Sequence, residues 1–170
     1  FVGRLTPEKG VHTLIEAYES TDAGARLAIV GGSSQTDDYV RRLEAMSGPR
    51  VVFAGFAYGD DLNRLISNAR FVVNPSTLEG LPIAVLEAHA LGKHALASDI
   101  PAHREIVRDP RWLFPPGDAP ALAARLRERL AEPIEERDAA LVERVRAEYD
   151  WDKAAEKTLA MYARMMAEAK

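Results

Sequence analysis

The chain has 170 residues, 47% of them apolar, with 22 basic and 26 acidic side chains and a formal net charge of −4. That length suits one domain with a sizeable core, and the charge balance gives no general attraction to nucleic acid or to an anionic membrane surface. With no cysteine there is no disulfide, thiolate catalysis or cysteine zinc site, a usage suited to a reducing compartment, and no apolar run approaches the roughly 20 residues of a membrane span.

Phe1-Val2-Gly3 reads as the end of a short buried strand, followed by a turn over Arg4 to Lys9. An opening inside an apolar run, with no methionine and no signal-peptide pattern, reads as a piece excised from a longer protein. Val11, Leu14, Ile15 and Tyr18 fall at helical spacing. Ala25 to Val30 is a second apolar strand ending in Gly31-Gly32, and Tyr39 to Met46 a helix stopped by Gly48-Pro49. Val51 to Ala54 is a third strand ending at Gly55, and Leu62, Leu65, Ile66 and Ala69 mark another helix. Ala69 to Val73 is a fourth strand, leading through Asn74 to Gly80 into a helix from about Pro82 to Leu91. His94 to Ala97 is a fifth strand, Pro101 to Val107 a short helix and Trp112 to Phe114 a last short strand. From about residue 119 to 170 the pattern is helical, in three helices marked by Leu122/Leu126/Leu130, Leu141/Val142/Val145 and Ala155/Leu159/Tyr162/Met166.

Alternating strands and helices imply parallel strands joined by right-handed crossovers, and continuously apolar strands imply helices on both faces of the sheet. The expected fold is therefore α/β: a Rossmann-like open parallel sheet with a helical C-terminal tail. Such a sheet binds ligands beyond the carboxyl ends of its strands. Those ends carry Gly3-Arg4, Gly31-Gly32, Gly55-Phe56 and Pro75 to Gly80.

Glu79 and Glu87 bracket a glycine and a proline suited to a first helical turn. The amides of Ile83, Ala84 and Val85 are expected to lack helical acceptors, which favours an anion, and Gly80 to let a phosphate come close. Leu81, preceding proline, is biased to extended backbone. Two readings stand for the acids: a capping acid and a solvated one, or acceptors for sugar and ribose hydroxyls. A retaining glycosidase pair is disfavoured, because Pro82 to Glu87 advances about 7.5 Å along a helix and such carboxyls sit about 5 Å apart. Arg4 and Lys9, in the turn after the first strand, match the charge of a diphosphate, although each alone also suits an ordinary solvated loop.

Together these residues carry a resemblance. Gly3-Arg4-Leu5-Thr6-Pro7-Glu8-Lys9-Gly10 resembles the G-R-L-x-x-E-K-G motif of retaining nucleotide-sugar glycosyltransferases of the GT-B fold (family four, "group 1"), and Glu79 to Ala88 is similar to their E-x7-E motif. Leu91-Gly92-Lys93 to Ser98-Asp99, Arg104 to Val107 and Tyr149 to Asp152 follow in the family's order, so the likeness covers essentially the whole chain.

The resemblance implies a single GT-B half: a donor-binding domain over residues 1–170, with the N-terminal acceptor domain absent. It implies that Arg4 and Lys9 contact the diphosphate, Glu79 the transferred sugar and Glu87 the ribose, with Phe56 stacking near the base. On this reading Glu79, Arg4 and Lys9 form the catalytic set, and Gly3, Phe56, Gly80, Leu81, Ile83 and Glu87 complete the binding set. The donor is a UDP-, GDP- or ADP-type sugar, no cofactor or metal is required, and the setting is cytoplasmic polysaccharide or glycolipid biosynthesis, with membrane association left to the whole protein. Leu159/Tyr162/Met166 and Met161/Met165 make two apolar stripes on the last helix, where the absent domain is expected to dock. Alternatives are a non-catalytic nucleotide-binding module of the same fold and a nucleotide-sugar epimerase. His89 and His94 depart from the family pattern and read as structural. Asp150-Trp151-Asp152 matches a D-x-D metal signature but precedes a helix, where Asp is an ordinary N-cap.

Overall fold

The computed structural model describes residues 1–22, 24–33, 37–134 and 137–168, so the last two positions of the expected tail lie outside the described residues. Five strands, β1 (Leu27–Val30), β2 (Val51–Gly55), β3 (Val72–Asn74), β4 (Ala95–Ser98) and β5 (Leu113–Phe114), are all parallel. Among the described residues eight helices accompany them: α1 (Val11–Glu19), α2 (Asp37–Ala45), α3 (Gly59–Asn68), α4 (Ile83–Ala90), α5 (Pro101–Ile106), α6 (Ala119–Ala131), α7 (Ala139–Glu148) and α8 (Trp151–Glu168).

The ladder forms two sheets, β1-β2 and β3-β4-β5, where one was expected. Phe1 to Gly3 lies alongside β1 rather than forming a named strand. Val2 makes a parallel bridge to Val30, and Val30 N donates to Phe1 O at 2.9 Å while Gly3 N donates to Val30 O at 3.0 Å. A 620 Å³ cavity with aliphatic and aromatic walls, including Phe1, Leu27, Val30, Phe71 and Val73, lies between residues of the two sheets.

Adjacent residues of a strand point to opposite faces. Val72 and Val73 are both buried, Val72 against Ile66 of α3 and Ala88 of α4, Val73 in the larger core with Leu14 and Ile15 of α1. Helices therefore cover both faces of β3. The sheet β1-β2 differs, with Ala28 of β1 and Val52 of the edge strand β2 exposed, which departs from the expectation that every strand is covered on both sides.

The turn over Arg4 to Lys9 contains a 3-10 turn, Pro7–Lys9, and Gly10 closes it in the left-handed region at φ 66°. Gly10 is required twice over, since a Cβ there would stand 2.2 Å from Pro75 O. That close approach, with Thr77 N donating to Glu8 O at 2.8 Å, locks the turn onto the loop after β3. At the far end, α8 has no buried residue along its length.

Candidate functional site

The carboxyl ends of β3 and β4 are polar where the strands themselves are apolar. Asn74 and Ser98, both buried, end those strands, and Ser76 follows in the loop. Ser98 Oγ donates to Ser76 O. The Ser76 hydroxyl lies 2.6 Å from Asn74 Oδ1 and 2.8 Å from Glu79 Oε1, and its single proton serves one acceptor at a time. Behind them His103 Nδ1 lies 2.8 Å from Ser98 O, a contact that requires the proton on Nδ1. The buried His103 Nε2 has no hydrogen-bond partner among the described residues. Burial lowers the His103 pKa, with Glu79 and Lys9 also felt there, so the ring is neutral at pH 7.

This scaffold presents Glu79 to Lys9. Lys9 Nζ donates to Glu79 Oε1 at 2.8 Å, with side chains only 17% and 9% exposed. Both line a cavity of about 200 Å³, together with Gly3, Leu81, Ile83 and Ala84. Gly3 and Lys9 from one stretch and Glu79, Leu81 and Ile83 from another some 70 residues on thus converge on one cavity. The apolar 620 Å³ cavity is larger but gathers no such acid–base pair among its lining residues.

Other expected residues stand around it. Arg4 is exposed, lies outside the cavity lining, and its side chain has no hydrogen-bond or ion-pair partner among the described residues. Phe56 is 62% exposed and stacks on Tyr58, ring centroids 6.1 Å apart and planes within 5°. Glu87, on α4, is half-buried, and its carboxylate has no hydrogen-bond or ion-pair partner among the described residues. Burial raises its pKa. A carboxylate that has lost water and gained no donor is ready to accept hydrogen bonds from a ligand.

One local expectation, the three free amides, is corrected. Pro82 is the N-cap of α4 rather than its first residue. Of the three amides expected to be free, Ile83 N donates to Leu81 O at 2.9 Å and Val85 N to Pro82 O at 3.0 Å. Ala84 N alone of the three has no acceptor among the described residues. The tight turn at the helix start consumes the other two. Gly80 is not in the left-handed region, so its turn does not demand glycine. A Cβ there would meet nothing within 4 Å, leaving open space in front of the backbone.

The structural readings of the remaining residues have direct support. His89 is buried, its Nδ1 3.1 Å from Arg144 Nη2, and burial with that guanidinium lowers its pKa to about 4. His94 faces Asp138 at 3.3 Å and stacks on Trp112. Asp150 Oδ1 accepts from the amides of Asp152 and Lys153, at 2.9 and 3.1 Å, as an N-cap does. The sequence reading missed Asn74, Ser76, Ser98 and His103. The signal available was a polar residue closing each of two otherwise apolar strands.

The chain matches the family described as glycosyl transferases group 1 over residues 1–148. It is 32% identical over 172 aligned positions to a glycogen synthase of Mycobacterium tuberculosis, covering 95% of this chain and 41% of that enzyme. A solved sucrose-phosphate synthase of Thermosynechococcus elongatus is 31% identical with a TM-score of 0.87, over 98% of this chain and 45% of that one. Anabaena HepE, solved in complex with UDP-glucose, is 22% identical with a TM-score of 0.82, over 96% of this chain and 47% of that one, a likeness of fold. The chain therefore spans less than half the length of each of these proteins.

Proposed function

Since the chain belongs to the glycosyl transferases group 1, we propose that it is the donor-binding domain of a retaining hexosyltransferase, working with an acceptor-binding domain to move a sugar from a nucleoside-diphosphate sugar to a hydroxyl. The observation that carries this reading is the Lys9–Glu79 pair on the cavity wall, 2.8 Å apart. One cation and one acid are held together at the carboxyl edge of the sheet, where an open α/β fold takes its ligands.

The roles follow from charge and position. Lys9, with Arg4 on the rim beside it, neutralises the diphosphate; the single free amide at Ala84 adds a donor at the start of α4. Glu79 accepts from hydroxyls of the transferred sugar, and Gly80 and Leu81 admit it. Glu87 accepts from the ribose, and Phe56 on Tyr58 offers a flat face to the base. The 200 Å³ cavity is smaller than the ~300–1,000 Å³ of sites that enclose a drug-sized ligand. It suits the sugar and diphosphate, with the nucleoside lying along the open rim.

In the reaction the bond from the anomeric carbon to the diphosphate oxygen breaks, its electron pair staying with the diphosphate. The acceptor oxygen bonds to the same face of that carbon, and its proton passes to the leaving phosphate. Negative charge grows on the diphosphate, and Lys9, Arg4 and the Ala84 amide stabilise it most at that point. The exposed Leu159, Tyr162 and Met166 of α8 form the contact with the acceptor-binding domain.

HepE has been solved with UDP-glucose, which supports a nucleotide-sugar donor here without selecting the base. Calorimetric titration with UDP, GDP and ADP and their glucose or mannose conjugates tests the reading. One nucleotide should bind in the micromolar to millimolar range, and absence of binding by all of them would refute it.

A further inference from the structure

The edge of the sheet opposite Glu79 carries a second cluster of charge. Parallel strands place their amino ends on one side. Arg70 stands two residues before β3, Lys93 and His94 precede β4, and Arg111 stands two residues before β5. These side chains, with Arg129 at the end of α6 and Glu132 just beyond it, line a cavity of about 270 Å³.

Two of the cations are buried beyond what a solvated surface patch would show. Lys93 is 6% exposed, and its ammonium has no hydrogen-bond or ion-pair partner among the described residues. Arg129 is 8% exposed. Its Nη1 pairs with Glu132 at 2.9 Å and its Nη2 lies 3.9 Å from Glu128, but its buried Nε has no hydrogen-bond partner among the described residues. The Trp112 ring, 5.4 Å from the guanidinium carbon, supplies a π face and no lone pair. A buried donor without an acceptor is costly, so a fold that keeps the Arg129 Nε beside the unpartnered Lys93 ammonium in one cavity has a use for an acceptor there.

The balance of charge gives the sign. Arg70, Lys93, Arg111 and Arg129 face one lining carboxylate, Glu132. Asp109 offsets Arg111 at 2.7 Å, and Glu128 stands 3.9 Å from Arg129, which leaves the lining positive among the described residues. That sign suits a phosphate group, and a cavity below the usual range for drug-sized ligands suits a small one.

We propose that this cavity is a second, phosphate-binding site, taking inorganic phosphate or the phosphate group of a small phosphomonoester, on the side of the sheet away from the sugar-transfer site. It stands on Lys93 and Arg129 and does not depend on the donor assignment. The test is titration of the chain with inorganic phosphate and with a hexose 6-phosphate at constant ionic strength, followed by calorimetry and phosphorus NMR. Lys9→Ala serves as the background that silences the other site.

Saturable binding of either ligand that survives Lys9→Ala and weakens tenfold or more in Lys93→Gln is the expected result. Tighter binding of the hexose 6-phosphate identifies a monoester site, and equal binding a site for free phosphate. Because Lys93 is buried, Arg70→Gln, half-exposed, provides a second variant and should weaken binding severalfold with the circular dichroism unchanged. No saturable binding, or binding lost in Lys9→Ala and untouched by both Lys93→Gln and Arg70→Gln, overturns the proposal.

Discussion

Lys9 Nζ and Glu79 Oε1 meet at 2.8 Å across 70 residues of chain, each largely shielded from water. The pair joins the turn before α1 to the loop before α4. It holds a cation where a diphosphate would need one, and holds an acid beside it. A shielded pair is easier to damage by removing one partner than by removing both, because the survivor keeps its desolvation cost.

Lys9→Met should therefore lower stability by about 2 kcal/mol, a drop of about 4–8 °C in the thermal midpoint for a domain of this size. Lys9→Met/Glu79→Gln should recover part of that loss while remaining unable to bind a nucleoside diphosphate tightly. Thermal melts and calorimetry on the three proteins check this. A double variant less stable than Lys9→Met would contradict the pairing argument.

Glu87→Gln should separate stability from binding. Burial raises the Glu87 pKa, so the folded state holds the proton more tightly than the unfolded chain does. The ionised form consequently costs stability above the ordinary carboxylate range, and the cost vanishes as pH falls below it. At pH 8 the variant should melt above the wild type, and at pH 4 level with it. Nucleotide affinity should nevertheless drop about tenfold, roughly 1.4 kcal/mol, through loss of a charged acceptor.

Acid should destabilise the fold in a window set by His89. Its folded pKa of about 4 lies below the ordinary histidine value of 6.5. The stabilisation is complete above pH 6.5 and is lost progressively as pH falls toward 4, where the folded state begins to take up the proton too. The loss amounts to about 3 kcal/mol at about 1.36 kcal/mol per pKa unit. Urea melts between pH 7.5 and 4 on the wild type and on His89→Gln measure it, and the variant should show a shallower decline.

Gly10→Ala should be among the most damaging small substitutions. It places a side chain in the left-handed region and 2.2 Å from Pro75 O. Strain and overpacking together cost on the order of 3 kcal/mol, and relief requires the Lys9 turn to lift from the Glu79 loop. Gly80→Ala has open space and ordinary backbone, so it should leave stability within about 0.5 kcal/mol. Comparing their melts tests whether glycine is needed for backbone shape at the first position and for ligand access at the second.

A chain ended after Asp150 should melt within a few degrees of the full one, since no residue of α8 is buried. Its Met161, Tyr162, Met165 and Met166 are all exposed. A large loss of stability on truncation would show that α8 supports this domain rather than contacting another.

What the sequence determined by itself was whatever depends on neighbours along the chain. Apolar runs and helical spacing placed every named strand and helix to within a few residues, because burial imposes a period of two or 3.6 on local sequence. Parallel alternation then put Gly3, Lys9, Glu79 and Glu87 toward one edge, and the motifs around them marked the family. Asp150 as an N-cap was legible for the same local reason. The tertiary structure decided what depends on distance across the fold. The Lys9–Glu79 bond, the seat of Gly10 against Pro75, the buried Asn74, Ser76, Ser98 and His103 behind the acid, and the split of the ladder into two sheets all join segments far apart in sequence. The start of α4 shows the limit most sharply: three amides looked free from the helix rule, yet the turn geometry at Leu81 and Pro82 takes two of them. Periodicity carries information about which face a residue occupies, and none about which partner it finds there.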